Sequence, residues 1–89
     1  MKYELDSNKS FLNLTKHGLS LEEATFLWEV PNIIIEARTV DEPRFMIIGK
    51  IKGKFYSCIF TDRAEATRLI SARRSRKEEE ALYYESIKT

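Results

Sequence analysis

Residues 44–61 read RFMIIGKIKGKFYSCIFT, and this stretch decides the fold class. Both halves are rich in β-branched and aromatic residues, which favour strands. Lys52-Gly53 stands between the halves, and a two-residue connection that contains glycine is typical of a β-hairpin. A hairpin with this turn places Ile51 opposite Lys54 and Arg44 opposite Thr61. The stretch therefore predicts two long antiparallel strands, 44–51 and 54–61.

The sheet extends to both sides of this hairpin. Residues 67–73 have strand composition, and a five-residue loop, 62–66, would place Thr61 opposite Thr67 and Phe55 opposite Arg73. Upstream, the run that begins at Ile33 starts the β-rich region. These segments predict an antiparallel sheet from residue 33 to residue 73, to which residues 2–5 add a short strand.

The segment before the sheet carries helix boundary signals. Asp6 is a predicted N-cap, and the helix ends at Lys16-His17-Gly18, since cations in the last turn and a following glycine are a stop signal. The spacing of its apolar residues predicts that the inner face of this helix holds Phe11, Leu14 and Thr15.

A second helix opens with Ser20 and Glu23, which form a predicted capping box, and ends before Pro31. Its apolar stripe consists of Leu21, Ala24, Leu27 and Trp28. A final helix is predicted to start at Ser75, with Glu78 as its box partner.

These elements predict one α+β domain over residues 1–89. It has two N-terminal helices, an antiparallel sheet of about four to five strands and a C-terminal helix, in the order β-α-α-β-β-β-β-α.

Alternation along the strands sorts the side chains into two sheet faces. The predicted core face carries Phe45, Ile47, Ile51, Tyr56, Cys58, Phe60, Ile70 and Ala72. The opposite face carries Arg44, Met46, Ile48, Lys50, Phe55, Ser57, Ile59, Thr61, Leu69, Ser71 and Arg73. This second face is apolar in the middle and cationic towards both ends, which suits RNA, because bases stack on apolar groups while phosphates meet cations. The alternative is that a helix covers it.

Charge is concentrated in one part of the chain. Residues 1–48 carry a net charge of −3, residues 49–77 carry +7 and residues 78–89 carry −3, so the formal total of +1 conceals a basic middle. Five of these cations are arginines between Arg63 and Arg76, and the guanidinium fork matches a pair of phosphate oxygens. A polyanionic partner is expected, with nucleic acid as the first candidate. The alternative is a strand kept soluble by its charge.

Composition excludes several other classes of protein. The single cysteine, Cys58, cannot form an internal disulfide, and its apolar neighbours predict a buried thiol. With one cysteine and one histidine, a structural zinc site is not expected. No apolar run is long enough to span a membrane, and residues 1–10 are too polar for a signal peptide. We therefore expect a cytoplasmic protein.

Several short motifs, taken in order, resemble the BrnT family of toxins. The N-terminal half matches in Glu4-x-Asp6-x-x-Lys9, in Asn13-Leu-x-Lys16-His17-Gly18 and in Glu22-Glu23-Ala24. The C-terminal half matches in Arg44, Ile48-Gly49, Thr61-x-Arg63, Arg68-x-Ile70-Ser71-Ala72-Arg73, Glu79 and Tyr83. The resemblance covers nearly the whole chain.

The resemblance implies the toxin half of a type II toxin–antitoxin pair, with a fold similar to RelE-type ribonucleases. It implies a metal-independent endoribonuclease without a cofactor, which inhibits translation and is neutralised by a BrnA-type antitoxin. RNA is then the substrate, and DNA is contacted only through the antitoxin. A toxin homodimer within a toxin–antitoxin heterotetramer is the assembly that this pairing allows.

RNA cleavage without a metal needs a base, cations that stabilise the anionic phosphorane, and an acid. The candidate catalytic residues are His17, Arg44, Arg63, Arg73 and Tyr83. His17 suits a proton-transfer role, but it also suits a helix C-cap. The arginines suit charge stabilisation, or ion pairs to Glu23, Glu79 or Glu80. Tyr83 suits proton donation or base stacking, but it also suits packing at the edge of the core.

The other cations are candidates for RNA binding: Lys9, Lys16, Lys50, Arg68, Arg74, Arg76 and Lys77. A non-catalytic RNA- or DNA-binding module would use the same basic stretch, and a subunit that acts only through a partner protein is a third class.

Overall fold

The computed structural model of the chain describes residues 2–38 and 41–88. The helices are α1 (Ser7–His17), α2 (Leu21–Ala24), the 3₁₀ helix Thr25–Glu29 and α3 (Lys77–Ile87). The strands are β1 (Tyr3–Glu4), β2 (Asn32–Ala37), β3 (Arg44–Ile51), β4 (Lys54–Arg63) and β5 (Ala66–Arg74). This α+β order confirms the predicted one. No helix in the described ranges has the length and apolar character needed to cross a membrane.

The strands form one five-stranded sheet in the order β1-β5-β4-β3-β2. Strands β2 to β5 are antiparallel to their neighbours, as predicted. Strand β1 pairs in parallel with β5 through Tyr3 and Glu4, so the complete sheet is mixed. Parallel neighbours need a long connection, which here is formed by residues 5–65.

The first hairpin has the predicted register, from Phe45 opposite Phe60 to Ile51 opposite Lys54. Its turn residues have φ angles of 53° at Lys52 and 80° at Gly53. Two positive φ angles are the signature of the hairpin turn whose twist matches that of the strands.

The predicted register of the second hairpin is wrong. Its strands are joined by two residues rather than five, and Thr61 pairs with Arg68 instead of Thr67. A β-bulge near Ile70 then shifts the pairing again, so that Arg73 lies opposite Ser57 instead of Phe55. The turn contains no glycine, asparagine or proline, so nothing in its composition marks its length.

The bulge also changes which side chains are buried. Leu69 was predicted on the cation-bearing face, but it lies in the core beneath α1 and α2. Ile70 was predicted in that core, but it is only partly buried and lines a surface groove. An extra residue in one strand reverses the alternation on one side of it, which explains both errors.

Helices cover both faces of the sheet. Helices α1, α2 and the 3₁₀ helix lie over the predicted core face, where the buried residues include Leu21, Leu27, Ile47, Cys58 and Phe60. Helix α3 lies on the opposite face, where Tyr83 packs with Ile48 and Phe55. The alternative that a helix covers the second face therefore holds for the part around Ile48 and Phe55.

Helix α1 has the predicted ends but not the predicted inner face. The Asp6 carboxylate accepts hydrogen bonds from the amides of Asn8 and Lys9, and Gly18 ends the helix with a φ of 74°. However, Phe11 is 68% exposed, and Leu14 and Thr15 are exposed as well. The buried residues are polar, so this helix docks through hydrogen bonds and its apolar spacing was misleading.

Asn13 provides most of that docking. Its Nδ2 atom donates to the carbonyl oxygens of Leu19 and Ala72 at 2.7 Å each, and its Oδ1 atom accepts from the Ala72 amide at 3.2 Å. Strand β1 covers the edge of β5 only at Thr67 and Arg68. At Ala72 the side-chain amide of Asn13 makes the hydrogen bonds that a neighbouring strand would otherwise make. A second buried polar residue, Ser10, accepts from the Leu21 amide and donates to Glu22.

The second helix starts as predicted, but it is α-helical only over Leu21–Ala24 and continues as the 3₁₀ helix Thr25–Glu29. Ser20 and Glu23 form both bonds of the capping box at 3.0 Å, and Leu21, Ala24 and Leu27 are fully buried. The predicted start of the last helix at Ser75 is wrong, because α3 begins at Lys77. The carboxylate that returns to the helix start is that of Glu79, which accepts from the Arg76 amide at 2.9 Å.

Candidate nucleic-acid interface

Four arginines share the sheet face on which α3 lies, which we call the α3 face. Register and alternation place on it Arg44 of β3, Arg63 of β4 and both Arg68 and Arg73 of β5. Arg68 lies opposite Thr61 and Arg73 lies opposite Ser57, so the two are separated along the strand. The α3 face therefore has cations at both ends, as predicted, although α3 covers part of its apolar centre.

Arg73 is held by an ion pair with Glu79 of α3. The Nη1 and Nη2 atoms of Arg73 donate to the two carboxylate oxygens of Glu79 at 2.8 and 2.7 Å. Glu79 is only 7% exposed, and it also accepts from Ser57 Oγ at 2.8 Å. Ser57 Oγ in turn lies 2.7 Å from Ser75 Oγ. This network fixes the guanidinium group and fastens the start of α3 to the sheet.

The network changes the acidity of both partners. Burial acts to raise the pKa of Glu79, but hydrogen bonds from Arg73, the Arg76 amide and Ser57 outweigh it and lower the pKa to about 2. The hydrogen bond to Glu79 raises the pKa of Arg73 further. The pair is thus fully charged across the neutral range. Of the two roles considered for Arg73, the ion pair is observed, and it leaves charge stabilisation open.

Arg63 and Arg68 belong to a looser group at the other end of the α3 face. Arg63 lies 4.0 Å from Glu4 and 3.7 Å from Glu42, and Arg68 lies 3.7 Å from Glu4. The partners expected for Arg63 were different glutamates, so that detail was wrong. These side chains are about one-third to one-half exposed, and such ion pairs contribute little to stability. Their charges remain accessible to a polyanion.

Arg44 is exposed at the start of β3. In the described part of the chain, no carboxylate lies within 4.0 Å of its guanidinium group. Arg44 is therefore the arginine of the α3 face that is most readily available to a ligand.

A groove between α1 and β5 gathers a second set of predicted residues. It is lined by Lys9, Lys16 and His17 of α1 and by Ile70 and Ser71 of β5, among others. His17 is exposed at the end of α1. Ser71 lies opposite Ile59, on the α3 face, and it also lines the groove. The structure thus joins the His17 groove to the sheet face that carries Arg73.

Tyr83 lies on α3 one turn after Glu79 and packs over the centre of the α3 face. It is buried, and its ring meets that of Phe55 edge to face at a centroid distance of 5.1 Å. The neighbouring Tyr84 is exposed and also contacts Phe55, at 5.4 Å. Of the alternatives for Tyr83, the structure favours packing that holds α3 against the sheet.

The remaining predicted RNA-binding cations are dispersed. Lys50 lies over the Phe55 ring at 5.1 Å on the α3 face. Arg74 lies over the Tyr56 ring at 5.7 Å, on the face that α1 and α2 cover. Arg76 and Lys77 are exposed at the start of α3. Consecutive strand residues point to opposite faces, so the basic run does not form one surface.

Sequence reasoning missed Ser57, which ties the Arg73 and Glu79 pair to the sheet. The available signal was a hydroxyl at the centre of an apolar strand, because a buried hydroxyl needs a hydrogen-bond partner. In residues 2–38 and 41–88, no cluster of three or more histidine, cysteine, aspartate or glutamate residues is arranged to hold a metal ion.

Comparison with known proteins gives one result that bears on function. A protein-family model described as "Ribonuclease toxin, BrnT, of type II toxin-antitoxin system" matches residues 5–79, which is most of the chain. No curated protein matches it. The matched segment runs from the end of β1 to the glutamate that binds Arg73.

Proposed function

Because the chain belongs to the BrnT family of ribonuclease toxins from type II toxin–antitoxin systems, we propose that it cleaves RNA without a metal ion and thereby inhibits translation. A BrnA-type, DNA-binding antitoxin neutralises it in the cytoplasm, within an assembly that contains a toxin homodimer. The observation that carries the proposed chemistry is the fixed guanidinium of Arg73, on a face that also presents Ser71 and continues into the His17 groove.

Arg73 is suited to stabilising the transition state because it is oriented before RNA binds. Three of its hydrogen bonds are used, two to Glu79 and one to the carbonyl oxygen of Arg74 at 3.2 Å. A guanidinium has five N–H donors, so two remain for phosphate oxygens. A donor that is already positioned needs no reorganisation when charge develops on the phosphorane.

His17 supplies the proton transfer in this proposal. The imidazole takes the proton of the ribose 2′-OH, whose oxygen forms a bond to phosphorus while the bond from phosphorus to the 5′-oxygen breaks. The departing 5′-oxygen takes a proton from solvent. Arg44, Arg63 and Arg68 hold neighbouring phosphates, with Lys9, Lys16 and Lys50 as weaker contacts. Tyr83 contributes indirectly by holding α3.

The test is incubation of the purified protein with total RNA in EDTA. Cleavage supports the enzyme, whereas RNA that is bound but not cut supports a non-catalytic binding module. Removal of the Arg73 side chain leaves Glu79 buried and unpaired, at a cost of about 3–5 kcal/mol, so Arg73→Lys is the better first variant. Lysine keeps the charge but loses the bidentate contact.

We expect Arg73→Lys to cleave RNA on the order of 10²–10³-fold more slowly, since one such donor is worth about 2.7–4 kcal/mol. Lys88→Ala, which removes an exposed cation after the end of α3, is the control. Expression of the wild-type protein without antitoxin should slow growth, and the Arg73→Lys substitution should relieve the effect. Full toxicity in a folded Arg73→Lys protein would remove Arg73 from the catalytic set.

The proposed antitoxin covers the exposed part of the α3 face with an acidic, partly disordered segment that folds on docking. RNA binding should weaken steeply as salt rises, because released counterions set the slope. Antitoxin binding should weaken less, because apolar residues such as Met46 share the contact. Equal salt dependence, or an antitoxin that leaves Arg44 exposed, would contradict direct occlusion.

A further inference from the structure

A second cavity lies on the side of the sheet opposite the α3 face. It has a volume of about 330 Å³ and opens between the end of α1, the α2 segment and the β3–β4 hairpin. Its walls include Phe26 and Tyr56, and the hairpin contributes Lys52 and Lys54. None of these residues belongs to the proposed cleavage site. We call this cavity the Phe26 pocket.

The pocket presents one exposed aromatic ring, that of Phe26. Phe26 is 58% exposed, although its neighbour Leu27 on the same 3₁₀ helix is fully buried. The ring of Phe26 is therefore accessible to a ligand in the pocket. Tyr56 forms another wall but is buried in the core, and the Arg74 guanidinium lies over its ring at 5.7 Å.

Charge at the rim of this pocket is mainly positive. In the described ranges, no carboxylate lies within 4.0 Å of the charged nitrogen atoms of Lys52, Lys54 or Arg74. One carboxylate, that of Glu23, lines the pocket, and it already accepts the Ser20 amide at 3.0 Å. The pocket is therefore positive as well as aromatic.

Lys52 adds a backbone observation. Its φ of 53° lies in the left-handed region, where glycine or asparagine is normally found. The hairpin turn requires this conformation, and it holds Lys52 in the wall of the pocket.

We propose that the Phe26 pocket is a subsite for single-stranded RNA, separate from the cleavage site. A nucleobase stacks on the exposed ring of Phe26, while the flanking phosphates meet Lys52, Lys54 and Arg74. Arg73 and Arg74 are consecutive in β5 and lie on opposite faces, so one RNA strand passing the end of β5 reaches both sites. The choice of RNA as ligand rests on the proposed function.

The first test measures binding of a 2′-O-methyl RNA oligonucleotide of about 12 nucleotides by fluorescence anisotropy. This probe lacks the attacking hydroxyl, so binding is separated from cleavage. Phe26→Ala should weaken binding roughly 5- to 150-fold, which is the worth of one stacked base. Phe11→Ala, which removes a ring from α1 that is also more than half exposed but lies outside the pocket, should leave binding unchanged.

A second variant tests the phosphate contact of Lys52 and leaves the hairpin turn intact. Asparagine tolerates the left-handed conformation of the turn. Lys52→Asn should therefore reduce the slope of log affinity against log salt concentration by about one, the effect of one lost phosphate contact.

In cleavage assays Phe26→Ala should raise KM and leave kcat unchanged, because the ring does not touch the reacting phosphate.

Three outcomes decide between the proposals. If Phe26→Ala binds the probe as tightly as Phe11→Ala does, or if the wild-type protein does not bind it, the subsite is wrong. If Phe26→Ala weakens binding but the wild-type protein cuts no RNA, the subsite stands and the proposed catalysis fails. If Phe26→Ala weakens only antitoxin binding, the pocket serves a protein and the subsite is again wrong.

Discussion

Replacement of Glu79 by glutamine should destabilise the protein more than any other removal of a charge from α3. The variant keeps the shape of the side chain but abolishes the ion pair with Arg73. The pKa of Glu79 falls from 4.5 to about 2 on folding. At 1.36 kcal/mol per pKa unit, this shift corresponds to about 3 kcal/mol of folding free energy at neutral pH.

That loss would be large for a small protein. A chain of 89 residues has a total stability of roughly 4–13 kcal/mol, and each kcal/mol moves the Tm by roughly 4–8 °C. Urea unfolding followed by circular dichroism measures the difference directly. Glu80→Gln is the control, because it removes the same charge from the same turn of α3 and so corrects for the helix dipole.

The pH dependence of this stability difference shows whether the ion pair of Glu79 causes it. A carboxylate with a lowered pKa stabilises the folded state fully above its unfolded pKa, and the effect disappears as pH falls towards its folded pKa. The gap between wild type and Glu79→Gln should therefore be constant above about pH 5 and should close between pH 4.5 and about 2. A gap that persists at pH 2, or one no larger than that of Glu80→Gln, would refute the assignment to the ion pair.

Three further changes test the packing that positions the site. Asn13→Ala should lower the free energy of unfolding in urea by about 3 kcal/mol, because buried backbone groups lose their hydrogen-bond partners. Its control, Asn8→Ala on the exposed side of α1, should change that free energy by less than about 0.5 kcal/mol. Gly49→Ala should cost about 1–3 kcal/mol, because the new Cβ atom would lie 3.0 Å from the Pro31 carbonyl oxygen; a neutral result would show that the backbone yields. Burial raises the pKa of Cys58 to about 12, so a thiol reagent at pH 8 should modify it only after unfolding in denaturant, and rapid native labelling would contradict this.

Local signals in the sequence were sufficient for most of the fold. The capping residues Asp6, Ser20 and Glu23 and the Lys52-Gly53 turn act over a few residues, so their chemistry can be read directly from the chain. The first hairpin inherits its register from that turn, and its two faces were assigned correctly.

The errors arose where distant residues decide the outcome. The bulge near Ile70 is set by packing of β5 against its neighbours, and no local signal marks it. Helix α1 buries Asn13 rather than Phe11, because the hydrogen-bonding needs of the β5 edge outweigh the apolar pattern. The apolar periodicity of a helix carries no information about unpaired backbone groups in a distant strand.

In the candidate site, too, local sequence predicted some features and distant contacts decided others. Charge clustering located the basic region, yet alternation in β5 places Arg73 and Arg74 on opposite faces. The choice of Glu79, rather than another glutamate, as the partner of Arg73 depends on how α3 crosses the sheet. The untested part of the site, the roles of His17 and the arginines in cleavage, stays a proposal.

The attachment of β1 and α1 to β5 has a consequence during synthesis of the chain. Asn13 and its partner Ala72 are 59 residues apart, and Tyr3 pairs with Thr67. The N-terminal segment therefore leaves the ribosome long before its binding strand exists, and closing so long a loop is slow. Until β5 emerges, α1 has no edge to cover and Arg73 has no fixed position. A nascent chain built in this way cannot assemble its basic face until β5 has been translated and has left the ribosome.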